Sequence, residues 1–470
     1  MKTIPIKPVA TQEVETSLYA ASKTIHPRSV KGWFASWRWA MVWFTQIIFY
    51  GLPWVNWNDR QAVLFDLAAR KFYIFGLVFW PQDFIYLTML LVLSALSLFL
   101  FTAIAGRLFC GYACPQTVYT EIFMWIERKI EGDRPARMRL DEAPMSLRKF
   151  GIKAAKHLSW GTVALWTGFS FVGYFTPIRT LGGEVAAFAL GPWQTFWIFF
   201  YGFATYGQAG WMREQVCKYM CPYARFQSAM FDKDTLIITY DAERGEPRGA
   251  RGKKADYKAL GLGACVDCNI CVQVCPTGID IRNGLQYECI ACAACVDSCN
   301  HVMEKLGYEK GLIRYTTQNA LTNKLSRAAT WKRVLRPRVL VYTTILCLIA
   351  FAAALSLTMR LPLKVDVIRD RGMPREVEDG AIENVYKLQV MNTDERQHRY
   401  VIEVQGIDGA RVASENTIDV TAATTRAVPV RVQVPGGKQE PGSHSIRFVV
   451  RDQENANVEV NEKAVFLVPR

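Results

Sequence analysis

After residue 360 this chain has no cysteine, although 13 precede that point. A disulfide-stapled fold is therefore excluded for the C-terminal segment, and 470 residues do not fit a short, secreted, loop-rich scaffold. The first 30 residues lack an apolar core and a small-residue cleavage site, so they read as a cytoplasmic tail and not a signal peptide. No Gly-x-Gly-x-x-Gly follows a strand-like run, and Gly-Leu-Gly-Ala-Cys at 261–265 reads as a turn entering a cysteine-rich segment. Nothing marks a dinucleotide fold. The formal charge of +14 does not indicate a nucleic-acid groove either, because Lys and Arg gather beside apolar runs: Arg134, Arg137, Arg139, Arg148, Lys149, Lys153 and Lys156. That placement fits cytoplasmic loops over anionic lipid.

Apolar residues make up 51% of the chain and aromatic residues 13%, with 14 Trp, as in membrane helices with aromatic belts. Five stretches approach or reach spanning length: Trp37 to Trp54, Phe84 to Ala105, Leu158 to Phe175, Trp193 to Trp211 and Val339 to Met359. An odd count with a basic N-terminal side places the N-terminus in the cytoplasm and the C-terminus outside. The loop 106–157 and the segment 212–338 are then cytoplasmic and rich in Lys and Arg. The outer loops 55–83 and 177–191 carry only Arg60, Arg70, Lys71 and Arg179. Asp66 and Asp83 fall near outer span ends, where interfacial charge needs no functional account. The apolar run 72–80 is too short to span and is expected at the outer interface. Beyond Met359 the runs 382–391, 399–405, 427–434, 444–450 and 457–467 are β-rich and separated by Gly, Pro, Asn and Asp. They read as a β-sandwich.

The expected fold class is thus a multi-domain membrane protein. A cytoplasmic tail (1–36) precedes four helices (37–211), a cytoplasmic segment (212–338), a fifth helix (339–359) and a C-terminal sandwich (360–470). The charged run 242–258 reads as an exposed loop leading into the cysteine-rich part, about 255–310.

Cys265, Cys268, Cys271 and Cys275 form C-x2-C-x2-C-x3-C followed by Pro276. Cys289, Cys292, Cys295 and Cys299 repeat the spacing, with Asn300 in place of the proline. Three thiolates two residues apart wrap one iron–sulfur cluster, and the fourth reaches its neighbour. The spacing therefore assigns one [4Fe–4S] cluster to Cys265, Cys268, Cys271 and Cys299. The second goes to Cys289, Cys292, Cys295 and Cys275. A pair of zinc sites is the competing reading, but zinc ribbons do not usually show this doubled run. His301 follows Cys299 closely enough to tune a cluster, although a surface role explains it as well.

Two further pairs, Cys110/Cys114 and Cys217/Cys221, are both C-x3-C-P just past the cytoplasmic ends of the second and fourth stretches. Packed together, these would bring four thiolates to one point at the inner surface. Soft thiolates suit Cu(I), zinc or iron–sulfur clusters, and low-pKa thiolates also exchange with disulfides. Buried packing is the alternative, and Cys347, alone in the fifth stretch, is read that way. His398 and His444 are isolated, and Met373 and Met391 do not make a methionine-rich copper motif.

The combination of five spans, two C-x3-C-P motifs, a doubled ferredoxin motif and a C-terminal sandwich resembles the CcoG/FixG/RdxA family, accessory proteins for assembly of cbb3-type cytochrome c oxidase. The likeness covers nearly the whole chain, including FDLAARKFYIFGLVFWPQDF, GRLFCGYACPQT and REQVCKYMCPYARFQSAMFD. The resemblance implies an inner-membrane protein with an immunoglobulin-like periplasmic domain and two [4Fe–4S] clusters. It implies reduction of Cu(II) to Cu(I), with copper as substrate and Cys110, Cys114, Cys217 and Cys221 as the metal-binding, catalytic set. The expected partners are the oxidase or its copper-delivery factors, with the electron donor and homodimer formation left open. Two other classes stay open: a membrane quinol dehydrogenase, and a non-enzymatic assembly scaffold.

Overall fold

The computed structural model describes residues 24–252, 255–370, 374–377, 380–437 and 439–469. Met373 lies outside them, as does most of the N-terminal tail. Among the described residues, two helical stretches are long and apolar enough to cross a membrane: Pro81–Ala105, mean hydropathy 2.4, and Pro337–Thr358, mean hydropathy 2.3. They pack side by side, and Tyr86 Oη lies 3.0 Å from Ser356 Oγ. The Pro81 end of one and the Thr358 end of the other are tied by Asp83, which is 5% exposed. Its carboxylate accepts from Trp80 N at 3.0 Å, from Arg360 Nη2 at 2.7 Å and from Lys364 Nζ. Asp83 is thus a buried, paired charge and not an idle interfacial one; removing one partner of such a group is strongly destabilising.

The other apolar stretches form the helices Trp33–Gly51, Leu147–Val172 and Pro192–Tyr206. Leu147–Val172 begins well before the apolar run because Ser146 Oγ caps it, accepting from Lys149 N at 3.2 Å. Pro192–Tyr206 is shorter than expected and passes into a wide turn at Gly207–Met212. Gly168 permits these two helices to touch, since a Cβ there would collide with the Ile198 carbonyl.

Three segments expected as loops are ordered. Residues 106–157 contain the helices Leu108–Tyr112, Pro115–Glu131 and Arg134–Glu142. Within the segment Arg137 pairs with Glu127 at 2.7 Å and Lys156 with Glu131 at 2.9 Å, and Arg213 reaches Glu127 from outside it at 3.2 Å. The segment 177–191 holds the helix Ile178–Ala186. The apolar run 72–80 forms strands Lys71–Ile74 and Leu77–Phe79, which pair with Val63–Asp66 in an antiparallel sheet. Val78 and Trp80 from this sheet bury against Met391 of the C-terminal domain.

That domain is a sandwich. One sheet joins Leu363–Arg369, Arg375–Glu376, Ile382–Asn392, Arg411–Val412 and Thr425–Val434. The other joins His398–Gln405, Thr417–Val420, Gly442–Asp452 and Glu459–Val468. Alternate residues face inward, and Tyr386, Leu388, Val390, Val430, Val432, Phe448 and Phe466 form a common core. The sandwich sits on the segment 55–83 through Glu395, which accepts from Asn58 Nδ2 at 2.9 Å and Arg60 Nη2 at 2.8 Å. His398, expected to be isolated, is held between Asp452 Oδ2 at 2.6 Å and Asp394 Oδ2 at 3.1 Å.

Candidate metal centre

The two cysteine runs fold as repeats of one backbone design. In each, the residue before the second cysteine and the residue after it take positive φ: Asp267 (49°) and Asn269 (56°), then Ala291 (53°) and Ala293 (58°). Four non-glycine residues in the left-handed region cost on the order of 1 kcal/mol each, and such loops make concavities of N–H donors that receive anions. Short helices, Ile270–Gln273 and Ala294–Leu306, follow, and the antiparallel strands Ile237–Tyr240 and Ile313–Thr316 wall both loops.

Cys265, Cys268, Cys271 and Cys299 line one small cavity, with Tyr240 and Met303. Cys275, Cys289, Cys292 and Cys295 line the other, together with Cys271. Chain-distant Cys299 and Cys275 thus each cross to the opposite repeat. Zinc, bonded to sulfur at about 2.3 Å, needs thiolates roughly 3.8 Å apart. Among the described residues no three His, Cys, Asp or Glu side chains converge as a single metal ion requires. Four thiols spread around each small, mostly apolar cavity suit a larger inorganic core, so the donor set fits [4Fe–4S].

The C-x3-C-P pairs also share one design. Cys110 is helical and Cys217 sits in the wide turn Val216–Met220, whereas Cys114 and Cys221 are extended with ψ 128° and 109°. The following proline forces that extended shape and opens a new helix, Pro115–Glu131 or Pro222–Met230. Both extended cysteines donate their N–H five residues back, to Phe109 O at 3.0 Å and Val216 O at 2.8 Å. The four thiols are mutual electrostatic neighbours. Cys110 and Cys217 pack on the buried cluster of Val274, Ile290, Cys292 and Ala294 at the second repeat. Gly111 makes that approach feasible, because a Cβ there would lie 2.7 Å from Ile290 O and 2.9 Å from Ala291 C and O. A small cavity between Cys217 and Cys292 is lined also by Gln116, Glu121, Arg213 and Glu214.

Burial is the leading influence on these thiols. It pushes Cys110 up to about 12 and Cys217 up to about 11, reinforced by neighbouring cysteines, while the Arg107 charge acts the other way. Cys271 rises to about 11, and Cys289 and Cys299 to about 12, again mainly through burial. Without a cation these groups stay protonated near neutrality, and metal binding must release the protons. In copper-free protein, alkylation of Cys110 and Cys217 should rise roughly tenfold per pH unit from about pH 7 to 10, followed by mass spectrometry. A plateau below about pH 9 would contradict this assignment.

Other sequence candidates stay apart. Cys347 is exposed on its helix and His301 is exposed on Ala294–Leu306. His444 Nε2 lies 2.8 Å from Glu440 O. Met391 is buried packing against Trp80. The sequence reading missed Arg107, whose guanidinium donates to Tyr287 O and Ala224 O, and Arg38, which donates to Cys292 O at 3.4 Å. Only Gly111, between two cysteines, left a sequence signal.

Comparisons with known proteins agree with this architecture. Residues 212–318 match the 4Fe-4S dicluster domain family, 87–132 a 4Fe-4S binding domain family, and 353–469 the IG-like fold at the C-terminus of FixG. The chain is 38% identical to nitrogen fixation protein FixG of Rhizobium meliloti, covering 93% of this chain and 92% of that one. It is 37% identical to protein RdxA of Cereibacter sphaeroides, covering 89% and 91%. A more distant likeness, 24% identity over 45% of this chain and 66% of the other, is to ferredoxin-type protein NapH of Haemophilus influenzae. With iron–sulfur domains, a C-terminal immunoglobulin-like sandwich and full-length relatives at this identity, the chain belongs to the FixG/RdxA family.

Proposed function

We propose that this iron–sulfur protein reduces Cu(II) to Cu(I) at Cys110, Cys114, Cys217 and Cys221, for assembly of a cbb3-type oxidase. The observation that carries the reading is the packing of Cys110 and Cys217 directly on the second cysteine repeat. Cys265, Cys268, Cys271 and Cys299 hold one [4Fe–4S] cluster, and Cys275, Cys289, Cys292 and Cys295 hold the other. When bound, these clusters supply single electrons at low potential. Each Cu(II) takes one electron and becomes Cu(I), and a cytoplasmic reductant replaces it.

The residues divide the remaining work. Glu121 and Glu214 give Cu(II) hard oxygen neighbours at the cavity mouth, and the thiolates favour the Cu(I) product. Two thiolates satisfy Cu(I), so a site without three converging ligands is adequate. Gly111 sets the close approach, and burial limits water at the thiols. All five apolar stretches cross the inner membrane, with the cysteine repeats in the cytoplasm and the sandwich in the periplasm. Basic residues along 106–157 and 212–338 support that orientation.

The test is a single turnover. Anaerobic protein is reduced, freed of reductant, and given Cu(II) with a Cu(I)-specific chelator. About two Cu(I) per chain should form as the cluster spectrum returns to its oxidised form, one electron per cluster. Clusters that stay reduced with Cu(II) but reoxidise with a soluble quinone would overturn copper reduction in favour of quinone chemistry.

A further inference from the structure

The charged groups around the two cysteine cavities differ. Arg107 is 3% exposed and makes no ion pair among the described residues. Two of its guanidinium nitrogens donate to Tyr287 O and Ala224 O, and its buried Nε has no hydrogen-bond partner. Its charge acts on Cys289 on one side and on Cys110 and Cys217 on the other. Arg38, 7% exposed, also makes no ion pair among the described residues, and its Nε is likewise unpartnered. Its Nη1 donates to Cys292 O at 3.4 Å. Glu121 acts on Arg38 only from beyond ion-pair distance, and Asp297 is engaged by the N–H groups of Phe34 and Ala35.

The first cavity differs. Its cation, Arg282, is clamped by Asp280 at 2.6 Å and Asp267 at 2.5 Å. That guanidinium lines the first cavity, and two carboxylates offset its charge. No charged side chain lines the second cavity, but two guanidinium groups without a paired carboxylate act on its thiols, Arg107 on Cys289 and Arg38 on Cys292. A buried cation without a counter-ion is costly, and a negatively charged, thiolate-ligated cluster beside it removes that cost.

We propose that Arg107 and Arg38 make the cluster held by Cys275, Cys289, Cys292 and Cys295 the higher-potential one, so that electrons run from the first cavity toward Cys110 and Cys217. This rests on the reading that both cavities hold [4Fe–4S] clusters. Reduction adds one negative charge; nearby cations stabilise the reduced form and carboxylates the oxidised form. Solvent near the exposed Cys268 pulls the first potential upward. Whole charges acting through a buried, low-dielectric wall outweigh the partial exposure of one sulfur. In the transfer, the first cluster loses one electron and the second gains it. Arg107 and Arg38 are positioning residues, for they touch backbone carbonyls and not copper.

The test is a redox titration of the full-length protein, followed by EPR, with iron and sulfide quantified on each sample. Arg107→Gln should move only the higher-potential wave downward, shifting the electron-sharing equilibrium at least tenfold, about 59 mV for a one-electron couple. Arg107→Lys should restore most of the shift. Arg282→Gln should move only the lower wave. Arg38→Gln gives a second, independent variant acting on the same higher wave, should the Arg107→Gln protein fail to assemble. Fully loaded variants of Arg107 or Arg38 with both potentials unchanged, or with the lower wave shifted, would overturn the charge assignment. A wild-type protein without iron and sulfide would instead overturn the two-cluster reading beneath it.

Discussion

Replacing Cys110, Cys114, Cys217 and Cys221 together by serine should abolish Cu(II) reduction while both clusters remain in place. The four thiols do not line either of the two cavities walled by the ferredoxin cysteines, so iron content should be unchanged. Serine is close in size but offers a hard, protonated oxygen that does not favour Cu(I). Losing the outer partners of a metal site costs about 10–100-fold, and losing the ligands themselves should exceed that range. The measurement is the chelator assay for Cu(I) beside iron quantification. Each pair changed alone should also lose most activity, since Cys114 and Cys217 face one another electrostatically across the two motifs. A quadruple variant that keeps wild-type turnover would remove these residues from the chemistry.

The second large effect is expected at Gly111. A Cβ there would meet backbone atoms, Ile290 O at 2.7 Å and Ala291 C at 2.9 Å, which cannot swing aside as a flexible side chain can. Overpacking of this kind costs about 1–3 kcal/mol, and more for a branched side chain. Gly111→Val should push the thiol-bearing helix away from the second cysteine repeat. Electron tunnelling falls exponentially with distance, so reoxidation of the clusters by Cu(II) should slow more than cluster loading falls. Stopped-flow absorbance with iron analysis separates these effects. Gly151→Ala, where an added Cβ meets nothing within 4 Å, is the control. A Gly111→Val protein with wild-type reoxidation would show that this contact does not carry the electrons.

What the sequence made legible follows from which physics is local. Cysteine spacing is local, and proline sets the backbone of the residue before it, so the extended Cys114 and Cys221 were foreseeable. Alternating β-branched runs exposed the longer strands of the sandwich, but Leu363–Arg369 and Thr417–Val420 passed unnoticed as shorter or more charged. Charge misled the reading where pairing is tertiary. The segment 106–157 read as a loop because Glu127, Glu131, Arg137 and Lys156 look solvated in sequence, yet they bury against one another. The pairing of Asp83 with Arg360 and of His398 with Asp452 stayed hidden for the same reason, these partners lying far along the chain. Arg107 and Arg38 carry no motif, and only the folded chain sets them beside the second repeat.

The central claim is that two clusters sit in crossed cysteine sets beside a four-thiol site. The most direct measurement is EPR of anaerobically purified, reduced protein, with iron and acid-labile sulfide determined on the same sample. The account predicts about eight iron and eight sulfide per chain, and spectra of two interacting clusters. Stoichiometric zinc in place of iron, or a single isolated cluster signal with about four iron, would contradict it.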